Sequence, residues 1–153
     1  MRYKNKKILI TTGGTGGHIF PAYSLAKHLM KKESLVEIMT DKRGFKYLKK
    51  FKELNIILNN SSSIYKGNRL KRALSVFIII FSFLKSLLIL LKKKPFLVYG
   101  MGGYSSFPVC LAAKVLKIPF IIYENNLFIG KSNKYLLPFA YKLFVAYHEL
   151  EGI

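Results

Sequence analysis

Apolar residues fall in short dense runs, and the longer stretches between them repeat apolar positions every three or four residues. The dense runs, at about 7–12, 35–40, 55–58, 96–100, 119–123 and 142–146, predict short buried strands. The stretches between predict helices at about 20–32, 44–53, 69–93, 105–117 and 130–138. In the first of these, Leu25, Ala26, Leu29 and Met30 form one apolar face. Pro21 is placed in its first turn, where a missing N–H costs nothing. Residues 59–68 are a loop by composition. Strands alternating with helices predict an α/β fold, a Rossmann-like parallel sheet with helices on both faces. No linker divides the chain, so one domain over residues 1–153 is expected.

Residues 73–91 are almost wholly apolar and approach the length of a membrane span. Three readings compete. Lys85 in mid-stretch opposes a spanning helix, as does the break it would make in the strand–helix alternation. A core helix of the sheet is the second reading. The third is a helix that packs on the sheet and dips its outer face into lipid. Ser75, Ser82, Ser86 and Lys93 form one polar stripe, and the remaining surface is more apolar than a sheet contact needs. Lys71, Arg72, Lys92, Lys93 and Lys94 flank the stretch where they could meet anionic headgroups. The third reading is favoured over the second.

Charge sharpens this picture. The chain has 26 Lys and Arg against 7 Asp and Glu, a formal net charge of +19. That balance calls for nucleic acid, anionic lipid or a phosphorylated substrate, though solvated lysine faces account for part of it. At 51% hydrophobic the chain is not disordered, and basic with greasy points to a membrane surface before DNA. No RNA-binding aromatic motif is present, and no nucleic-acid partner is expected. The single cysteine, Cys110, sits among Val109, Leu111 and Ala112 and reads as a buried structural thiol. The basic start is followed by only Ile8-Leu9-Ile10, too short for a signal-peptide core.

The candidate chemistry lies in two glycine turns. Thr11-Thr12-Gly13-Gly14-Thr15-Gly16-Gly17-His18 follows one predicted strand, and Gly100-Met101-Gly102-Gly103-Tyr104 follows another. Each opens a helix, whose unpaired N–H groups and dipole favour phosphate. Both stand at the carboxyl edge of the sheet, where ligands of open α/β sheets bind, so they are expected to wall one cleft. The first turn lacks the closing Lys-Ser/Thr of a P-loop, and Ile19 takes the last glycine's place in a dinucleotide fingerprint. His18 reads as a phosphate ligand, a general base or a solvated capping residue. Glu124-Asn125-Asn126 reads as a sugar-hydroxyl site or an ordinary capping turn. His28 is expected to be solvated, and His148 carries no signal. No His, Cys and carboxylate spacing suits a metal, and neither metal nor cofactor is expected.

Taken together these residues resemble the N-terminal, acceptor-binding half of the MurG family, the glycosyltransferases of family 28 that convert lipid I to lipid II. The matching stretches are Gly13 to His18 with Phe20-Pro21, Gly100 to Tyr104 with Pro108, Glu124 with Asn126, and Gly130 with Asn133-Lys134. They follow the family's order and cover nearly the whole chain. The resemblance implies a GT-B enzyme with two Rossmann-like domains, transferring N-acetylglucosamine from UDP-N-acetylglucosamine with inversion and without a bound metal. It implies His18 and Glu124 as catalytic residues, with His18 the candidate general base. It implies that Gly13, Gly14, Thr15, Gly16, Gly17, Gly102, Gly103, Tyr104, Ser105, Asn126 and Asn133 hold the acceptor and its diphosphate. Tyr104, Glu124 and Asn126 would line the acceptor sugar.

The implied partners are an undecaprenyl-diphosphate-linked acceptor (lipid I), UDP-N-acetylglucosamine through a donor domain, and the anionic inner-membrane surface through residues 69–94. The implied location is peripheral, on the cytoplasmic face of the inner membrane. Where the family usually has His-Glu-Gln-Asn, this chain has Tyr123-Glu124-Asn125-Asn126. The sequence stops at Ile153 without a donor domain, so activity is expected only with one supplied in cis or in trans. The alternative is a non-catalytic, membrane-recruiting subunit of a split transferase.

Overall fold

The structure is a computed structural model that describes residues 4–62 and 68–153. Residues 63–67 of the expected loop lie outside the described residues. Six strands form one parallel sheet: β1 (Lys7–Thr12), β2 (Leu35–Thr40), β3 (Asn55–Leu58), β4 (Leu97–Gly100), β5 (Phe120–Glu124) and β6 (Lys142–Val145). Their order is β3-β2-β1-β4-β5-β6. The helices are α1 (Gly16–Lys31), α2 (Lys42–Leu48), α3 (Arg69–Lys93), α4 (Ser106–Val115) and α5 (Lys131–Leu136), with a 3-10 turn at Leu137–Phe139. The expected α/β architecture is the one observed.

Strand periodicity sorts the core into two layers. Ile8 and Ile10 of β1 point to one face, where they join Ile19, Ala22 and Ala26 of α1 and Leu48 of α2. Leu9 points to the other, where it joins Leu90 of α3, Val109 and Cys110 of α4 and Leu136 of α5. A strand buried on both sides reads as an unbroken apolar run, which is why Ile8-Leu9-Ile10 carries no alternation. Cys110 is buried, and burial pushes its thiol up to about 12. The chain builds β2 and β3 to one side of β1, then crosses over to place β4, β5 and β6 on the other. The order therefore reverses between β1 and β4, the two strands that release the glycine turns.

One expectation is corrected. The first helix begins at Gly16 rather than near Phe20, so Pro21 lies inside it and not in its first turn. The serine stripe of α3 is the buried side of that helix: Ser75, Ser82, Ser86 and Leu90 face inward. Ser86 Oγ donates to the Ser82 carbonyl at 2.7 Å, and the buried Asn59 amide donates to Ser82 O and Ser86 Oγ. Ser75 and Ser86 are buried with their hydroxyls bonded to carbonyls of the helix itself, whereas the buried Ser82 Oγ has no hydrogen-bond partner. Phe83, Leu87 and Ile89 pack against the core beside the stripe, and a row of large side chains is left on the outer face. Leu70, Leu74, Phe77, Phe81, Leu84, Leu88 and Leu91, spaced by alternating fours and threes, are all exposed, Phe77 at 70% and Phe81 at 71%. α3 is the one helix among the described residues long and apolar enough to cross a membrane.

Candidate active site

The two glycine turns fit into each other because neither carries side chains where they meet. A Cβ on Gly13 would coincide with Ser105 Oγ, and one on Gly103 would stand 2.5 Å from the Gly13 carbonyl. Gly103 also has φ +83°, a backbone that L side chains rarely adopt. Ser105 Oγ donates to the Thr12 carbonyl at 3.4 Å, and Met101 N–H to Thr11 O at 2.9 Å, so the turns are joined directly.

His18 lies in the first turn of α1, its ring pressed on the second glycine turn. A Cβ on Gly102 (φ +91°) would be 2.6 Å from His18 Nδ1. That nitrogen is buried and has no hydrogen-bond partner. Thr12 Oγ1 donates to the His18 carbonyl at 3.1 Å, which ties the helix start back to β1.

Glu124 ends β5 and is 1% exposed. Its Oε1 accepts from Asn126 N–H at 3.1 Å and Asn126 Nδ2 at 2.8 Å. Its Oε2 accepts from Gly130 N–H at 2.9 Å and Asn133 Nδ2 at 2.9 Å. A carboxylate has about four lone-pair sites, and all are taken by Asn126 and Gly130 of the loop that follows and Asn133 of α5. Burial alone would raise this carboxyl's pKa; the bonds from Gly130, Asn133 and Asn126 outweigh it and hold the group below the usual glutamate value.

These elements enclose an open cleft of about 280 Å³ at the carboxyl edge of the sheet. His18, Gly102, Gly103 and Tyr104 line it, as do Glu124, Asn126 and Asn133. Tyr104 is 47% exposed, whereas Asn133 is buried, its amide divided between Glu124 and the Tyr123 carbonyl. Gly13, Gly14, Thr15, Gly16, Gly17 and Ser105 do not line the cleft. Gly13 and Ser105 are buried in the joint between the turns, and Thr15 takes the N-cap position of α1 without a side-chain capping bond. Gly130, Lys131 and Ser132 also line it, and of these the sequence reading marked only Gly130. The signal for the other two was their place in the connection after β5, at the same sheet edge as the glycine turns. His28 is exposed.

Residues 8–145 match the glycosyltransferase family 28 N-terminal domain. The chain belongs to that family. Among its relatives is the UDP-N-acetylglucosamine–N-acetylmuramyl-(pentapeptide) pyrophosphoryl-undecaprenol N-acetylglucosamine transferase of Pelagibacter ubique, 41% identical over 92% of this chain. The enzyme of the same description from Rickettsia prowazekii is 37% identical over 97% of it. The chain spans 38% and 37% of those relatives' lengths. The crystal structure of Acinetobacter baumannii MurG superposes with a TM-score of 0.84 at 28% identity, over 97% of this chain and 43% of that one. A UDP-GlcNAc 2-epimerase from Methanocaldococcus jannaschii shares the fold at 19% identity, with a TM-score of 0.62 over 91% of this chain and 39% of its own. The residues matched by the family 28 N-terminal domain take in both glycine turns.

Proposed function

We propose that residues 1–153 form the acceptor-binding half of an inverting transferase that moves N-acetylglucosamine from UDP-N-acetylglucosamine to lipid I, giving lipid II. The observation that carries this reading is the cleft at the strand-order reversal, walled by the second glycine turn and by His18 at the start of α1. The acceptor sugar hydroxyl lies in the cleft between His18 and Asn126. With Nδ1 buried under Gly102, Nε2 is the His18 nitrogen left to take the hydroxyl proton. The oxygen attacks the anomeric carbon, its bond to UDP breaks on the opposite side, and the configuration inverts. A donor domain, in cis or in trans, holds the nucleotide. The N–H groups at the starts of α1 and α4 face the acceptor diphosphate.

Glu124, read from the sequence as catalytic, takes a different part here. Its four hydrogen bonds leave no lone pair for a substrate, so it acts as a positioning residue. It turns Asn126 so that the amide carbonyl is what a sugar hydroxyl meets. Asn133, expected on the acceptor, likewise serves Glu124.

The partner surface in this reading is an anionic membrane. α3 buries its serines and presents Leu70, Leu74, Phe77, Phe81, Leu84, Leu88 and Leu91 outward between clusters of Lys and Arg. A second copy on this stripe would bring two chains of net charge +19 together, whereas acidic headgroups neutralise the flanking cations. Such a helix lies in the interface of the cytoplasmic leaflet, where lipid I is held. This stripe also favours a second reading, a recruiting subunit without chemistry of its own.

The test is reconstitution: this chain, lipid I in anionic vesicles, labelled UDP-N-acetylglucosamine, and a separately expressed donor domain from a relative. Lipid II formed only when both proteins are present, and lost in His18→Ala, is the expected result. Binding to lipid I vesicles without product leaves the recruiting reading, and no binding overturns both.

A further inference from the structure

We infer that Asn125 is a positioning residue that locks the two sides of the cleft together, by occupying a carbonyl that Pro21 leaves without an intrahelical partner. In an α-helix the carbonyl of residue i accepts from the N–H of residue i+4. For Gly17 that residue is Pro21, which has no N–H. Asn125 Nδ2, from the turn after β5, donates to Gly17 O at 2.6 Å. A residue 108 positions away therefore completes the first turn of α1. The next carbonyl along, that of His18, is held from the other direction by Thr12 Oγ1. His18 thus sits on a helix start fastened to β1 on one side and to the β5 turn on the other.

The consequence is geometric. Asn125 stands between Glu124 and Asn126, so the bond to Gly17 couples the backbone carrying His18 to the turn whose shape Glu124 sets. A Cβ on Gly17 would stand 3.5 Å from Asn125 Nδ2, an ordinary van der Waals distance, so the amide packs closely on this backbone. The proline and the amide are two halves of one device. A helix with an ordinary residue at position 21 would satisfy Gly17 O by itself and have no call for the cross-cleft bond. The catalytic meaning of this coupling rests on the function proposed above; its existence does not.

The test is a cycle of four proteins: the unmodified chain, Asn125→Ala, Pro21→Ala and the double variant. Pro21→Ala supplies the absent N–H, so Gly17 O regains an intrahelical partner. Asn125→Ala is expected to lower the melting midpoint by about 2–4 °C when Pro21 is present and by less than about 1 °C in the Pro21→Ala background. Asn125→Asp, similar in size but without the donor, repeats the first result, and Asn125→Gln, which keeps a donor, loses less.

The positioning role is read separately, from amide and imidazole resonances of His18 and the amide of Asn126. Asn125→Ala shifts both sets. Adding Pro21→Ala restores the Gly17–His18 signals but not that of Asn126, because the helix is repaired and the bridge is not. Equal melting losses in both backgrounds, or His18 signals indifferent to Asn125, overturn the inference. Neither readout needs turnover. If the reconstituted system makes no lipid II, the proposed function fails while this cycle still decides the bridge.

Discussion

Replacing Glu124 by glutamine removes one charge and one acceptor while barely changing size, and the structure states what that costs. Four donors converge on the carboxylate, two on each oxygen. Glutamine keeps one oxygen and offers an NH₂ in place of the other. In either orientation two bonds are lost and a donor is set against two donors. Hydrogen bonds to a charged group contribute about 1.5–3 kcal/mol each, and relief of the carboxylate's desolvation returns part of the sum. The net loss is about 3–4 kcal/mol, which for a chain of this length lowers the melting midpoint by roughly 10 °C. Thermal unfolding followed by circular dichroism measures it. Amide exchange should show protection lost over residues 125–133 and kept in β1 and β2.

The same carboxylate sets an acid limit. Burial works against its ionisation, but the four bonds win and its folded pKa lies below the ordinary glutamate value. The stabilisation is therefore complete above the unfolded-state pKa and is lost as pH falls through the folded one. Glu124→Gln should abolish that portion of the acid dependence. A variant that melts within about 2 °C of the parent, exchanges normally in the turn and keeps the acid profile refutes the hub assigned to Glu124.

Three further outcomes are expected. Phe77→Ser with Phe81→Ser should cut partition into anionic vesicles about 100-fold, since each buried ring contributes about 1–2 kcal/mol, while leaving the melting midpoint unchanged because both rings are exposed; undiminished vesicle binding in a flotation assay counts against α3 as the membrane face. Gly102→Ala puts a Cβ against His18 Nδ1 at a φ of +91°, so His18 resonances should move and product formation in the reconstituted assay should fall about 100-fold; wild-type turnover would show that the ring is not seated by this glycine. Cys110, buried and pushed up to about 12, should stay unreactive to a thiol reagent at pH 8 until the chain is unfolded, and rapid labelling of native protein would contradict its burial.

Much of the fold could be read along the chain because it rests on local patterning. Short apolar runs separated by helical periods specify a parallel sheet with two covered faces, and strands β2 and β3 and helix α3 lie where the periodicity puts them. The two glycine turns could be read too, since a strand followed by glycines and a helix is a contiguous signal. The first helix start was misplaced because glycines and an interior proline are poor helix formers. Its first turn is held instead by side chains from outside the helix, the nearby Thr12 and the distant Asn125.

What the chain by itself determined, then, is the kind of fold, the edge at which its site lies and the residues available there. Tertiary structure alone decided what those residues touch. The serine stripe of α3 turned inward, where Ser75 and Ser86 donate to the helix's own carbonyls and Asn59 donates to Ser86, leaving the aromatic side outward; composition cannot say which face of a helix meets the sheet. The family resemblance implies a catalytic role for Glu124, and only the structure shows Gly130 and Asn133 filling its second oxygen. Gly13 and Gly103 read as a phosphate cradle until they are seen to face each other. Gly13 and Gly103 are brought together by the sheet order, and Gly130 and Asn133 by the fold of the chain after β5; hydrogen bonding and steric fit act over a few ångströms of space, whatever the separation along the chain.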